Sequence, residues 1–191
     1  MRARMTVFVA VAGAIAFAPR GVDAHPTLRV GGEAGVTVGP SEYFPTFLAG
    51  LSAEFDLARI SIITFGAVSR LQLYSHREEE DYGSWGGQQD LSLALRLSMF
   101  DERAEQRAVI GFVVLRVGGA VVERVPRRDS DSAELIGGYL VGGSIGIAFR
   151  WREGQPRLHL QLSYDRPSFT TDDDKVGPVG ELSVAFMTRV W

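Results

Sequence analysis

Residues 157–165 read RLHLQLSYD and change character at every step. Leu158, Leu160, Leu162 and Tyr164 fall on one face, and His159, Gln161, Ser163 and Asp165 on the other. A period of two is the mark of an extended strand with unlike sides. Residues 90–100 repeat the pattern, with Leu91, Leu93, Leu95, Leu97 and Met99 opposite Ser92, Ala94, Arg96 and Ser98. Residues 136–151 set Tyr139, Val141, Ile145, Ile147, Phe149 and Trp151 against Gly138, Gly142, Ser144, Gly146, Ala148 and Arg150.

Working outward from these segments predicts eight strands, over 27–39, 44–56, 59–74, 90–100, 107–122, 136–151, 157–165 and 179–191. The first sets Leu28, Val30, Ala34, Val36 and Val38 against Arg29, Glu33 and Thr37. The last sets Leu182, Val184, Phe186 and Val190 against Glu181, Ser183 and Arg189. The segment at 107–122 is apolar on both faces apart from Arg116. No segment sustains a helical period. Most reach the roughly 9–11 residues a tilted strand needs to cross a bilayer, and an even count suits an antiparallel barrel.

A soluble sandwich also alternates, and three features favour a membrane barrel instead. Connections at 56–59, 101–106 and 152–156 are short, whereas those at 75–89, 123–135 and 166–178 are long; 39–43 is the short member of the second set. Short turns at one end and long loops at the other are expected of a transmembrane barrel. Aromatic residues gather at both strand ends, as the two membrane interfaces favour. Tyr43, Phe44, Tyr74, Tyr139, Tyr164 and Phe169 map to the long-loop end, and Phe55, Phe100, Phe149, Trp151 and Trp191 to the short-turn end. The polar faces are charged: Arg29, Glu33, Glu54, Arg70, Arg96, Arg116, Arg150, His159, Glu181 and Arg189 are expected to form a charge network in the lumen. An unpaired charge in an apolar core is costly, so the apolar face is placed outside, against lipid.

The 191 residues suffice for one domain. There is no cysteine, which excludes disulfides, thiolate metal sites and a lipidated cysteine anchor. The net charge of −3 argues against a nucleic-acid partner, which needs a clustered basic face. Residues 1–24 read as a cleavable signal peptide. Arg2 and Arg4 form its positive start, residues 5–18 its apolar stretch, and Val22-Asp23-Ala24 its small-residue cleavage site. The apolar stretch is too short to span a bilayer as a helix. The barrel domain is then residues 25–191, with 17 basic and 22 acidic residues once Arg2, Arg4, Arg20 and Asp23 are removed.

With its signal, eight alternating strands, unequal loops and terminal Trp191, the chain resembles the small outer-membrane β-barrels of the OmpA, OmpX and OmpW type. The resemblance covers the whole mature chain. It implies an all-β, up-and-down, eight-stranded barrel in a Gram-negative outer membrane, and recognition of the last strand by the barrel-assembly machinery. The positions stepping back from Trp191 by twos are Arg189, Met187 and Ala185. That series departs from the apolar one of the family; Val190, Phe186, Val184 and Leu182 form the lipid face instead.

Few residues suggest chemistry. Gly142-Gly143-Ser144-Ile145-Gly146 matches G-x-S-x-G, but a nucleophile elbow needs a strand-to-helix turn. Here the match lies within a predicted strand, where small residues leave room for opposing side chains. Some members of the resembled family modify lipids with histidine and serine. His159 and Ser163 share a face, yet four residues along a strand separates them by about 13 Å, beyond the reach a base needs. Acidic runs at 78–81 and at Asp172, Asp173 and Asp174 are weak candidates for divalent cations bridging to lipopolysaccharide; Arg77, Arg124, Arg127 and Arg128 are candidates for its phosphates. The expectation is a non-enzymatic outer-membrane barrel without cofactor, contacting outer-membrane lipid and lipopolysaccharide. The alternatives are a narrow pore or conduit for small apolar molecules, a lipid-modifying enzyme, and a secreted soluble β-protein.

Overall fold

The computed structural model describes residues 27–38, 47–75, 82–100, 108–126, 134–150, 156–170, 175–176 and 180–190. The strands are β1 (Thr27–Val38), β2 (Phe47–Ile60), β3 (Ile63–Ser75), β4 (Tyr82–Ser98), β5 (Val109–Pro126), β6 (Glu134–Phe149), β7 (Leu158–Thr170), the two-residue β8 (Lys175–Val176) and β9 (Gly180–Arg189). Residues 1–24, read as the signal peptide, lie outside the described residues, as do Trp151, Trp191 and Asp172–Asp174.

Each long strand pairs antiparallel with its neighbour in the chain, and β9 returns to pair with β1. β6 also pairs with β7, and β7 with β9, so eight strands close a ring. β8 only extends the end of β7, at Phe169 and Thr170. A path of paired residues runs from Thr27 through Asp56, Gly66, Ala94, Arg116, Gly142, Asp165 and Glu181 to Thr37. One circuit therefore advances ten residues along β1. For eight strands this stagger tilts the wall near the steep end of the ~35–45° range and leaves a lumen wide enough only for side chains.

The alternation sorts residues as a membrane barrel does. Arg29, Arg70, Gln72, His159 and Asp165 point inward and are buried, whereas Leu51, Leu73, Leu93 and Leu135 are each more than 60% exposed on the outer wall. A soluble protein of this size rarely shows apolar surface continuously around its circumference. β5 breaks the alternation for a reason visible only in three dimensions. Its inward Phe112 and Val114 pack with Ala148 near the short-turn end, and its Ala120 and Val122 join an apolar cluster near the long-loop end.

Several boundaries differ from expectation. β2 and β3 run on past Asp56 to a two-residue turn at Ser61 and Ile62. Ser61 takes φ 54°, a left-handed conformation more usual for glycine or asparagine. Serine and isoleucine give no turn signal there, and the polar Asp56–Arg59 segment mimicked one. An irregularity between Asp56 and Ala58 restores the facing: Asp56 stays inward, and Arg59 reaches Thr64 from its Nε at 3.1 Å. β4 begins eight residues before the predicted start, β5 ends four beyond its predicted end, and β7 ends five beyond its own.

Candidate functional site

The lumen is the candidate site, and its residues form layers. Near the short-turn end, Arg29 of β1 holds Asp56 of β2 in a two-point pair, with Nη1 to Oδ1 at 2.8 Å and Nη2 to Oδ2 at 2.7 Å. The same guanidinium lies 3.5 Å from Glu54 Oε2, which also takes a hydrogen bond from Arg96 Nη2. Arg96 sits 4.1 Å from the centre of the Phe112 ring and 3.3 Å from His159 Nδ1. Cation, ring and carboxylate thus stabilise one another where water is scarce.

The middle layer centres on Arg70 of β3. Its Nε donates to Asp90 Oδ2 on β4 at 2.8 Å, and its Nη1 to Asp165 Oδ2 on β7, also at 2.8 Å. Arg116 of β5 donates to the same Asp165 oxygen at 2.7 Å. Glu181 of β9 lies 3.8 Å from Arg70 and accepts from Gln88 Nε2 at 2.9 Å. Gln72 Nε2 donates to Glu33 Oε1 at 2.6 Å. The middle of the lumen is therefore spanned from wall to wall by hydrogen-bonded pairs that draw on β1, β3, β4, β5, β7 and β9.

Above this layer the lumen turns apolar. Leu48, Tyr74, Ala120, Val122, Ile136, Leu140 and Phe169 pack together near the long-loop end. Tyr74 was expected in the aromatic girdle, but it points inward and is only 2% exposed. It shares the face of Arg70 and Gln72, its ring covers Gly86, and its hydroxyl donates to the Glu123 carbonyl at 2.5 Å. Phe169, expected at the same girdle, is likewise buried and inward.

Of the other charges expected in the lumen, Glu33, Glu54, Arg96, Arg116, His159 and Glu181 are buried there. Arg150 lies just past β6 and is partly exposed. Arg189 pairs with Arg29 and has inward parity, but it is exposed because it stands at the last position of β9. Among the expected girdle residues, Tyr139, Tyr164 and Phe100 are exposed, and Phe55 and Phe149 are partly so. Sequence reasoning left Asp56, Gln72, Gln88, Asp90 and Asp165 out of the network. Their parity with Glu54, Arg70, Arg96 and His159 was the available signal.

The serine and histidine motifs separate in space. Ser144 lies mid-strand in β6, opposite Ser163, and a Cβ at Gly142 would overlap the Asp165 carboxylate. One at Gly146 would meet Phe112 Cζ at 2.5 Å. The glycines make room for lumen side chains. The cross-strand neighbours of His159 are Ala148 and Met187, neither a nucleophile. Among the described residues no group of three or more His, Cys, Asp or Glu is arranged to hold a metal.

The architecture is that of a small eight-stranded outer-membrane β-barrel. Similar solved structures include Neisserial surface protein A (NspA), at 14% identity, TM-score 0.58, and 86% coverage of this chain against 97% of that one. The attachment invasion locus protein Ail of Yersinia pestis is similar at 10% identity and TM-score 0.51, again over 86% of this chain and 97% of that one. Ail bound to the heparin analogue sucrose octasulfate aligns over the same shares at 12% identity and TM-score 0.51. No protein-family model matches the chain. No curated protein matches it.

Proposed function

We propose that this protein is an exported, integral outer-membrane barrel of a Gram-negative bacterium, with a structural or surface-interaction role and no enzymatic one. The observation that supports this best is the inversion of polarity. Arg70 is 1% exposed inside the wall while Leu93 is 65% exposed outside it. Only a lipid surround makes that arrangement favourable. Residues 1–24 supply the export signal in this reading, and the long loops face the cell exterior. Neighbours in fold include a surface protein and an attachment protein, the latter bound to a sulfated sugar. That likeness supports a surface role.

The test is migration on SDS gels with and without boiling, combined with fractionation. A folded barrel in outer-membrane fractions shifts in mobility on heating. A soluble protein without that shift overturns both fold environment and location. Packing of the lumen speaks against a pore: ion pairs fill its middle, and an apolar cluster closes it towards the long loops. Recordings across planar bilayers are expected to stay silent, and stepwise currents would overturn the plugged reading.

A further inference from the structure

Four successive strands of the ring each set an arginine in one lateral row at the short-turn end. Arg29 of β1 is the direct partner of Arg189 of β9. Leu158 pairs with Thr188, so the next position of that pairing sets Arg157 beside Arg189. Phe149 pairs with Leu158, and the same single step sets Arg150, just past β6, beside Arg157. Neighbouring strands lie about 4.8 Å apart, so the row spans about 14 Å. All four positions have inward parity, that of the buried Met187, His159 and Ala148.

The row also has a direction. One circuit of paired residues from β1 towards β9 climbs from Thr27 to Thr37. The row leaves Arg29 in the opposite sense, so it descends towards the open short-turn mouth. Arg29 is 1% and Arg157 6% exposed, whereas Arg150 is partly exposed and Arg189 is exposed at the rim.

Like charges at directly opposed strand positions repel. The described carboxylates at this level, Glu54 and Asp56, are held by Arg29 and Arg96. Arg150, Arg157 and Arg189 each make an interaction of their own. Even so, Arg157 Nε and Nη1 and Arg150 Nε are buried donors that meet no acceptor. A buried N–H without an acceptor is costly, and more so on a charged group. An anion shared along the row relieves the repulsion and fills these donors together.

We propose that the row binds a soluble phosphate anion, and a diphosphate best. The chemistry selects phosphate over carboxylate. One guanidinium fork saturates a carboxylate, as Arg29 does Asp56 through two bonds. A phosphate directs its oxygens several ways and can be shared by two forks one strand spacing apart. A diphosphate reaches a third. The facing selects a soluble source over a lipid one: Leu158, Leu160 and Phe149 take the outer face, whereas the row lines the mouth. In the orientation proposed above, that mouth opens to the periplasm. The ion pairs and apolar cluster further in close the lumen, so the anion is held and not conducted.

The test is calorimetric titration of the mature full chain, folded in maltoside micelles that carry no phosphate, at fixed ionic strength. The titrants are sodium diphosphate, sodium phosphate and sodium succinate. Wild type is expected to bind diphosphate most tightly, phosphate less so, and succinate at least roughly tenfold more weakly than diphosphate. Arg157→Gln should weaken diphosphate binding roughly tenfold, the scale of one lost charge-assisted bond. Arg189→Gln should do the same from an exposed position where folding is not at stake, and Arg189→Lys should keep part of the affinity. Arg166→Gln, an exposed cation towards the other end of β7, should leave binding unchanged. Equal binding by wild type and Arg189→Gln overturns the inference, as does succinate binding as tightly as diphosphate. Displacement of diphosphate by phosphatidylglycerol added to the micelles overturns the soluble source. Absent binding in a chain that keeps its heat-dependent gel shift overturns this inference alone, whereas absence of that shift in wild type overturns the membrane reading.

Discussion

Arg70 and Asp165, 95 positions apart in the chain, meet at 2.8 Å in the middle of the lumen. The bond joins β3 to β7, on opposite sides of the ring, and Asp165 carries Arg116 on the same oxygen. One carboxylate therefore ties three strands together. Its position depends on Gly142, the residue across from it, having no side chain.

Replacing Asp165 with alanine is predicted to be among the most damaging single changes in the barrel. It leaves two buried guanidiniums without their shared acceptor, a loss of about 3–5 kcal/mol for one broken buried pair. Urea unfolding in lipid vesicles, followed by tryptophan fluorescence, measures this. In a double-mutant cycle, Arg70→Met and Asp165→Leu are expected to be strongly non-additive, by up to ~3 kcal/mol. Additive losses would show that the two side chains do not share the interaction seen here.

The glycines of β6 divide by the face they occupy. A Cβ at Gly142 collides with Asp165, whereas one at outward-facing Gly137 meets nothing within 4 Å. Gly142→Ala is predicted to lower the unfolding free energy by more than about 1 kcal/mol, the low end of overpacking costs. Gly137→Ala should be neutral or slightly stabilising, since it removes chain freedom from the unfolded state. Equal effects at the two positions would count against the placement of Asp165.

The strands and their facing were legible in residues such as Leu158 to Asp165 because one side meets lipid and the other a polar lumen. What alternation could not give is the vertical order inside the barrel. Tyr74 and Tyr139 are both aromatic residues near a long loop, yet Tyr74 has the parity of inward Arg70 and Tyr139 that of outward Val141, so grouping them as one girdle by their distance from the loop overlooked their facing. The contribution of Asp90 and Asp165 was hidden for a related reason. Each lies at an end of the segment predicted from its apolar run, yet the strands continue beyond it, so both sit well within the wall. The turn at Ser61 was missed because its conformation is imposed by the pairing of Ile60 with Ile63, not by its own residues.

The apolar cluster over the polar layers predicts a second kind of sensitivity. Phe169 is 1% exposed and packs over Gly138. Phe169→Ala should cost about 3–5 kcal/mol by transfer and cavity terms. It should also speed hydrogen exchange at the amides of Arg70 and Asp90, because water gains a path from the long-loop end. Tyr74→Phe removes the hydroxyl that donates to the Glu123 carbonyl, and the loss of that bond should cost about 1 kcal/mol. Exchange unaltered in Phe169→Ala would mean that the cluster does not seal the layers beneath it.

The outer wall offers the most direct check of environment. Leu93 lies between Ser92 and Ala94 in the body of β4 and is 65% exposed; Leu135 is 63% exposed but stands at the start of β6, by a long loop. In water the two are equivalent surface leucines, and an arginine at either is expected to be harmless or helpful to solubility. In a bilayer Leu93→Arg faces the hydrocarbon midplane and should cost about 2–4 kcal/mol, while Leu135→Arg lies near the interface and should cost about 0–1 kcal/mol. Reversible unfolding from vesicles separates the cases. A large gap between the two variants requires lipid around β4, and no gap would remove the lipid from the wall.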